Sequence, residues 1–138
     1  YELEKKIIEG SLNVKDIPDY WNNQYEAYMG IRPPNDLKGC IQDVHWSHGS
    51  FGYFPTYSLG SFYAAQFFEQ AVKDVPSIPA EIGNGQYQSL LQWLREKIHV
   101  HGRFYTSEEL CQHVCGKPLD ISHFMRYLLD KYKNIYHF

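Results

Sequence analysis

The stretch TYSLGSFYAAQFFEQAV, residues 56–72, decides the fold class of this 138-residue chain. Leu59, Tyr63, Phe67 and Ala71 recur every four residues, which places them on one stripe of a helix. The remaining positions are also rich in alanine, phenylalanine and tyrosine, which predicts burial on more than one side of the helix. We therefore expect a long buried helix here.

Helical patterns separated by glycine and proline fill the rest of the chain. The predicted helices before and after residues 56–72 end at Gly10, Gly30, Gly102 and Gly116. Residues 31–36 and 74–85 are predicted as loops, because prolines and glycines interrupt both segments. The chain contains no internal repeat and no alternating strand pattern. The sequence therefore predicts an all-α fold, with residues 1–138 forming a single helical region.

Three of these helices carry more detailed predictions. Asp16 is expected to cap the second helix, with Pro18 in its first turn. Thr106 and Glu109 have the spacing of a capping box. The last helix should begin near residue 120 or 122. Its inward side chains are predicted to be Phe124, Tyr127, Leu128, Tyr132 and Ile135.

Composition excludes several classes of protein. The net charge is -3, from 13 basic and 16 acidic residues, and no run of lysine or arginine suits nucleic acid or an anionic membrane. No apolar run approaches the roughly 20 residues of a membrane span. The three cysteines are an odd number without the spacing of a disulfide framework. They favour a reducing compartment, so we expect a cytoplasmic location.

Two histidine or cysteine pairs outside the central segment are interpreted as structural. His99 and His101 are two residues apart, and such residues do not share a helix face. Cys111 and Cys115 do share a face, but structural zinc usually takes four ligands, and no second cysteine pair is present. No metal site is expected within this chain.

The segment GCIQDVHWSHGSFGYFPTY, residues 39–57, concentrates polar and aromatic side chains around several glycines. A tight loop with satisfied polar groups explains this composition about as well as a functional site. The glycines, however, leave space where another group could approach. A histidine and two tyrosine hydroxyls would act as hydrogen-bond donors to a developing oxyanion or to a carboxylate. The segment has no nucleophile with a matched base, so it predicts only the electrophile-stabilising half of a site.

Within this segment, GCIQDVHW (residues 39–46) resembles the GxxQDxHW signature of the carboxypeptidase Taq family of thermostable metallocarboxypeptidases. The continuation GSFGYFPTYSLGSFYAAQ is similar to the family's next segment. The earlier DIPDYWNNQYEAYMGI and the later LDISHFMRYLLDKYKNIY are also similar. The resemblance covers essentially the whole chain. It implies that the chain is the helical C-terminal part of a larger, mostly helical metallopeptidase of the HEXXH type.

The resemblance also implies the activity and the metal of the parent enzyme. Enzymes of this family are zinc-dependent, remove single residues from peptide C-termini and commonly form homodimers. Two histidines of an HEXXH helix and a downstream glutamate bind their zinc, and the HEXXH glutamate is the general base. This chain contains no HEXXH motif. We therefore expect the zinc site to precede residue 1, which we interpret as a cut end, and we expect this chain alone to be inactive and without zinc.

By analogy with related helical peptidases, the resemblance implies roles for residues of the active-site wall segment, residues 39–57. His45, or alternatively His48, and Tyr57 are the candidates for contacts with the oxyanion and the substrate. Tyr53 is the candidate for binding the C-terminal carboxylate or the backbone of the substrate.

Three neighbouring residues have supporting roles in this hypothesis. Gln42 and Asp43 are expected to orient His45, and Trp46 is expected to pack. The implied partners are a peptide substrate, the missing N-terminal part of the same protein and a second copy of it. The alternative hypothesis is a stand-alone helical interaction module whose aromatic segment forms a binding groove. An upstream reading frame containing HEXXH would separate the two hypotheses.

Overall fold

The computed structural model describes residues 1–137, and every regular element within them is helical. This confirms the all-α prediction. The α-helices, in chain order, are α1 (Glu2–Ile8), α2 (Ile17–Met29), α3 (Val44–Ser47), α4 (Phe54–Asp74), α5 (Ile78–Gly83), α6 (Gln88–Lys97), α7 (Ser107–Cys115) and α8 (Ser122–Tyr136). Short 3₁₀ turns cover Val14–Asp16, Asp36–Lys38, Cys40–Gln42 and His99–His101. No helix in the described part of the chain is long and apolar enough to cross a membrane.

The chain divides into two compact units, which we call unit 1 (Tyr1–Tyr57) and unit 2 (from Ser58 onward). In unit 1, α2 ends at Gly30 and has Pro18 in its first turn, as predicted. Asp16 stands at the N-terminus of α2, but its side chain makes no capping hydrogen bond, so that prediction is wrong. The reason is that Asp16 has helical backbone angles, at the end of the preceding 3₁₀ turn, whereas a capping residue is normally extended.

A close approach of the backbone explains one glycine at the start of the active-site wall segment. A Cβ atom on Gly39 would lie 3.2 Å from the Asn35 carbonyl oxygen and 3.3 Å from both Asn22 Oδ1 and Pro33 Cβ. The segment then continues as the 3₁₀ turn Cys40–Gln42 and the short helix α3. Tight packing against α2 and the proline loop therefore positions the residues that follow Gly39.

Unit 2 has a small apolar core. Ala71 and Ile78 are fully buried, and Trp93 is nearly so. The Trp93 indole donates a hydrogen bond to Asp74 Oδ2 at 2.8 Å. The side chains packed around this core are Phe67, Val72, Val75, Ile82, Leu90, Leu94, Ile98 and Val114.

The prediction of a loop over residues 74–85 is wrong, because α5 lies inside it. Pro79 stands in the first turn of α5, where a missing N–H costs nothing. Ile78 opens the helix with its side chain fully buried in the core of unit 2. Core packing therefore stabilises a helix in a segment whose prolines and glycines had predicted a loop.

Two predictions about buried faces are also wrong within the described residues. In α4 only Gln66 and Ala71 are buried, and Leu59 is exposed, so the helix is not covered on several sides. In α8 the buried residue is His123. Three of the side chains expected to point inward are instead exposed, namely Tyr127, Tyr132 and Ile135. Periodicity identifies residues that share a face, but it does not show whether another element covers that face.

The start and end of α7 match the prediction. The Thr106 hydroxyl accepts a hydrogen bond from the Glu109 amide at 3.3 Å, and the Glu109 carboxylate accepts one from the Thr106 amide at 2.8 Å. The helix ends before Gly116. This capping box is a local interaction over four residues, which explains why the sequence alone could predict it.

Candidate functional site

His45, Tyr53, Phe54 and Tyr57 form one group of rings in unit 1, which we call the histidine–tyrosine cluster. The His45 ring stacks on Tyr53 with centroids 5.0 Å apart and meets the edge of Phe54 at 4.5 Å. Tyr57 lies 5.4 Å from Tyr53 and 6.3 Å from His45. The structure therefore brings together the histidine and both tyrosines that the sequence singled out.

Asp43 holds the His45 imidazole in place. One carboxylate oxygen, Oδ1, accepts a hydrogen bond from the His45 backbone N–H at 2.9 Å and lies 3.1 Å from the ring nitrogen Nδ1. Asp43 is buried, and its side chain is also the cap of α3. Because a carboxylate only accepts hydrogen bonds, it favours the proton on Nδ1 and turns Nε2 toward other partners. Asp43 thus has the contacts of a residue that orients His45.

The two tyrosines of the cluster are partly exposed and contact each other. Tyr53 is 47% exposed and Tyr57 is 58% exposed. The pKa of Tyr57 is raised mainly by partial loss of solvation and, to a smaller extent, by the hydrogen bond with Tyr53. A phenol with the ordinary pKa of about 10 is already protonated at neutral pH, and the upward shift extends the protonated range to more alkaline pH.

Gln42 and His48 lie at the margin of the cluster. The Gln42 side-chain amide donates to the carbonyl oxygen of Leu37, so this contact secures the turn before Asp43 and does not involve the imidazole. The His48 ring lies 5.8 Å from the His45 ring, and its Nδ1 is 2.9 Å from the Ser50 hydroxyl. Of the two histidines, only His45 contacts both Asp43 and the tyrosines.

Backbone conformation explains the glycines within residues 47–53. A Cβ atom on Gly49 or Gly52 would meet no heavy atom of the described chain within 4 Å, so the expected close approach is not observed there. Both residues instead have a positive φ, 77° at Gly49 and 76° at Gly52. Side chains with a Cβ rarely adopt this left-handed conformation. The two glycines therefore allow the turn that connects His45 to Tyr53.

Sequence reasoning missed Glu4, which contacts the same turn. Glu4 lies on α1 and is only 5% exposed. Its Oε1 accepts hydrogen bonds from the Trp46 indole N–H at 3.2 Å and from the Gly52 amide at 3.0 Å. Burial acts to raise the pKa of Glu4, but these hydrogen bonds, together with the amino group of Tyr1, hold the pKa below its ordinary value. No local signal marks Glu4, since its partners are 42 and 48 residues away in sequence.

Trp46 packs among aromatic side chains, as its predicted role requires. Its ring meets Trp21 edge-on at 6.0 Å and stacks on Phe51 at 6.2 Å. Its only polar atom, the indole N–H, is bound by Glu4. The ring therefore links α2, the turn and α1.

The described residues offer hydrogen-bond donors but no metal centre. Among residues 1–137, no group of three or more histidine, cysteine, aspartate or glutamate side chains is placed to hold a metal ion. The cysteine pair of α7 is also unsuited to binding one as thiolates. Burial, together with Cys111, raises the pKa of Cys115 to about 12, and burial raises that of Cys111 as well. The tyrosine hydroxyls of the cluster can donate hydrogen bonds to a negatively charged group.

Comparison with known proteins identifies the family. The family model described as "Carboxypeptidase Taq (M32) metallopeptidase" matches residues 1–132. Carboxypeptidase 1 of Bacillus subtilis (strain 168) is 40% identical over 136 residues, which are 99% of this chain and 27% of that protein. Thermostable carboxypeptidase 1 of Pyrococcus furiosus is 37% identical over 132 residues, which are 96% of this chain and 26% of that protein.

A solved structure agrees with these sequence matches. The crystal structure of the M32 carboxypeptidase from Deinococcus radiodurans R1 superimposes with a TM-score of 0.95 at 36% identity. The match covers 100% of this chain and 28% of that one. The chain thus spans about 27% of the length of the curated relatives it matches. The extent of the family match and the shared helical structure lead to one conclusion: this chain belongs to the carboxypeptidase Taq (M32) family of metallopeptidases.

Proposed function

We propose that this chain is the C-terminal portion of a metallocarboxypeptidase that removes single residues from peptide C-termini. Membership of the M32 family supports this proposal and disfavours the stand-alone interaction module. The metal of the whole enzyme, which we propose to be zinc, would be held by residues outside this chain, on an HEXXH helix and at a downstream glutamate. When bound, such a metal polarises the scissile carbonyl and activates water.

In this proposal, residues 39–57 form the wall of the cleft that binds the substrate. The observation that carries it is the convergence of His45, Tyr53 and Tyr57, whose rings lie within 6.3 Å of one another. The Tyr57 hydroxyl would donate a hydrogen bond to the oxyanion that develops on the scissile carbonyl, with His45 beside it. Tyr53 would bind the C-terminal carboxylate of the peptide.

The remaining candidates have supporting roles. Asp43 would orient the His45 ring through its two contacts with that residue. Gln42 would hold the turn before Asp43 through the Leu37 carbonyl. His48, whose ring lies next to His45, would contact the substrate at the edge of the cluster.

The partners follow from the same proposal. They are a peptide substrate, the remaining part of the same protein and a second copy in a homodimer. We propose a cytoplasmic location on the basis of the three cysteines, all of which are free. The net charge of -3 supports the expectation that neither nucleic acid nor an anionic membrane surface is a partner.

The test uses conservative side-chain changes in the full-length enzyme. Tyr57→Phe keeps the ring and removes the hydroxyl, so kcat should fall on the order of 10²-fold, as for other single oxyanion donors. His45→Gln should also lower kcat. Tyr53→Phe should mainly raise KM, because it removes a contact that would form with the bound substrate before reaction.

Tyr87→Phe is the matched control, because Tyr87 is as exposed as Tyr57, at 58%, but lies in unit 2. This variant should keep wild-type kcat and KM. If residues 39–57 were only a well-packed loop, the cluster variants would change the melting temperature and leave turnover of the folded fraction intact. A Tyr57→Phe enzyme with wild-type kcat would refute the proposed role of the cluster.

A further inference from the structure

We infer that Glu4 is a positioning residue that holds the histidine–tyrosine cluster in its working geometry. This inference rests on the proposed function of that cluster. Glu4 contacts none of its rings through a hydrogen bond. Both of its hydrogen bonds go to residues that adjoin cluster members in sequence, namely Trp46 and Gly52.

The arrangement of the two donors explains how Glu4 acts. Trp46 directly follows His45, and Gly52 directly precedes Tyr53. A single oxygen, Glu4 Oε1, binds both donors and so fixes the two ends of the intervening turn. His45 and Tyr53 flank these two points and stack at 5.0 Å. The distance between the two rings therefore depends on a carboxylate that is more than 40 residues away in sequence.

Burial and charge make this contact stronger than an ordinary surface hydrogen bond. Glu4 is 5% exposed, and each of its two donors acts to lower its pKa, against the opposite effect of burial, so both favour the ionised form. Hydrogen bonds to an ionised, desolvated acceptor are stronger than those to a neutral one. The second oxygen, Oε2, lies 3.6 Å from the amino group of Tyr1 and has no hydrogen-bond partner among the described residues. Oε1 alone therefore carries the contact with the turn.

The turn itself depends on such an external contact. It contains Gly49 and Gly52, both with positive φ, and glycine has the largest conformational freedom to lose on folding. Within the turn, the backbone hydrogen bonds run from residues 48, 49 and 50 back to residues 45 and 46. None of them involves Gly52, whose amide is bound by Glu4 instead. Removing the carboxylate would leave the Tyr53 end of the turn unanchored.

Three variants of the full-length enzyme test the inference. Glu4→Ala removes both contacts and should lower kcat/KM about 10- to 100-fold, since a displacement of about 1 Å at a reacting centre has effects of that order. Glu4→Gln keeps an oxygen that can accept both hydrogen bonds, so it should recover most of the loss. Glu2→Ala is the control, because Glu2 lies on the same helix and binds only the exposed Tyr28 hydroxyl. It should keep wild-type kcat/KM.

Backbone hydrogen exchange of the peptide covering residues 44–54 provides a second measurement that does not depend on turnover. Glu4→Ala should speed exchange in this peptide at a temperature where the rest of the protein stays folded, and Glu4→Gln should not. If Glu4 were merely structural, its loss would lower the melting temperature, and the folded fraction would keep both kcat/KM and slow exchange in the turn. That result would overturn the inference.

The outcomes also separate this inference from the proposed function. If Tyr57→Phe and His45→Gln keep wild-type kcat while Glu4→Ala loosens the turn, the cluster is not catalytic but Glu4 does position it. If those two variants lose activity while Glu4→Ala keeps both activity and slow exchange, the proposed function stands and the role of Glu4 is refuted. Should Glu4→Ala fail to fold, Trp46→Phe removes one of the two donors and should give the same loosening to a smaller extent.

Discussion

Among the described residues, unit 1 and unit 2 differ in whether they bury carboxylates. Unit 1 buries the carboxylates of Glu4 and Asp43 and leaves Tyr53 and Tyr57 about half exposed. Unit 2 buries an apolar core together with the polar side chains of Gln66 and His123, and its ion pairs centre on Glu69, which is about one-third exposed. Apolar burial stabilises without direction, whereas a hydrogen bond to a carboxylate fixes both distance and angle. The comparison indicates that unit 2 mainly stabilises the fold and that unit 1 mainly positions the site.

The largest effect is expected in the core of unit 2. Trp93→Ala should lower the free energy of unfolding of the chain by about 3–5 kcal/mol, because it removes a buried ring and leaves a cavity. Urea denaturation measures this change. Trp93→Phe is the milder comparison, since it keeps a smaller ring and loses part of the indole volume together with the hydrogen bond to Asp74, so it should cost less than Trp93→Ala. If Trp93→Ala lowered kcat of the folded full-length enzyme as much as Tyr57→Phe, the division between the units would be wrong.

Replacing glycine by alanine should change the free energy of unfolding in opposite directions at one glycine of unit 1 and one glycine of unit 2. Gly52→Ala places a Cβ atom on a residue with φ 76° and should destabilise the chain by about 1–2 kcal/mol. Gly60→Ala lies within α4, where a new Cβ meets no neighbour within 4 Å, and should stabilise the chain by about 0.5–1 kcal/mol. Urea denaturation of both variants measures the contrast. Equal effects at the two sites would show that the turn of unit 1 is not conformationally restricted.

The smallest effect is expected from the ion pairs of unit 2, whose contribution to the free energy of unfolding should depend on pH. The pKa of Glu69 is lowered from 4.5 to about 2, mainly by the hydrogen bond from Lys73. Burial acts in the opposite direction, and contacts with Arg126 and His123 lower the pKa further. Because the folded pKa lies below the unfolded one, this stabilisation is complete above pH 4.5 and is lost as the pH falls toward 2. Glu69 is about one-third exposed, so screening by solvent reduces the contribution to about 1 kcal/mol.

Glu69→Gln tests this expectation. The variant should be less stable than the wild type at pH 6, and the difference should shrink between pH 4.5 and pH 2, as measured by urea denaturation at each pH. A constant difference across that range would contradict the assigned role of the Glu69 carboxylate.

Features that depend on neighbours a few residues apart could be predicted before the structure was known. The all-α fold, the capping box of Thr106 and Glu109 and the helix ends at Gly30 and Gly116 are of this kind. The signature in residues 39–46 likewise led directly to the family. Helix caps, helix ends and short motifs depend on consecutive residues, so they can be predicted without a structure.

The packing of whole helices, by contrast, determines which side chains are buried and which distant residues come into contact. It turned residues 78–83 into a helix through the burial of Ile78, and it left much of the apolar stripe of α8 exposed. It also brought the Glu4 carboxylate to Trp46 and Gly52, across 42 and 48 residues of sequence. Such contacts depend on how whole helices pack, and the sequence between the two partners does not predict that packing.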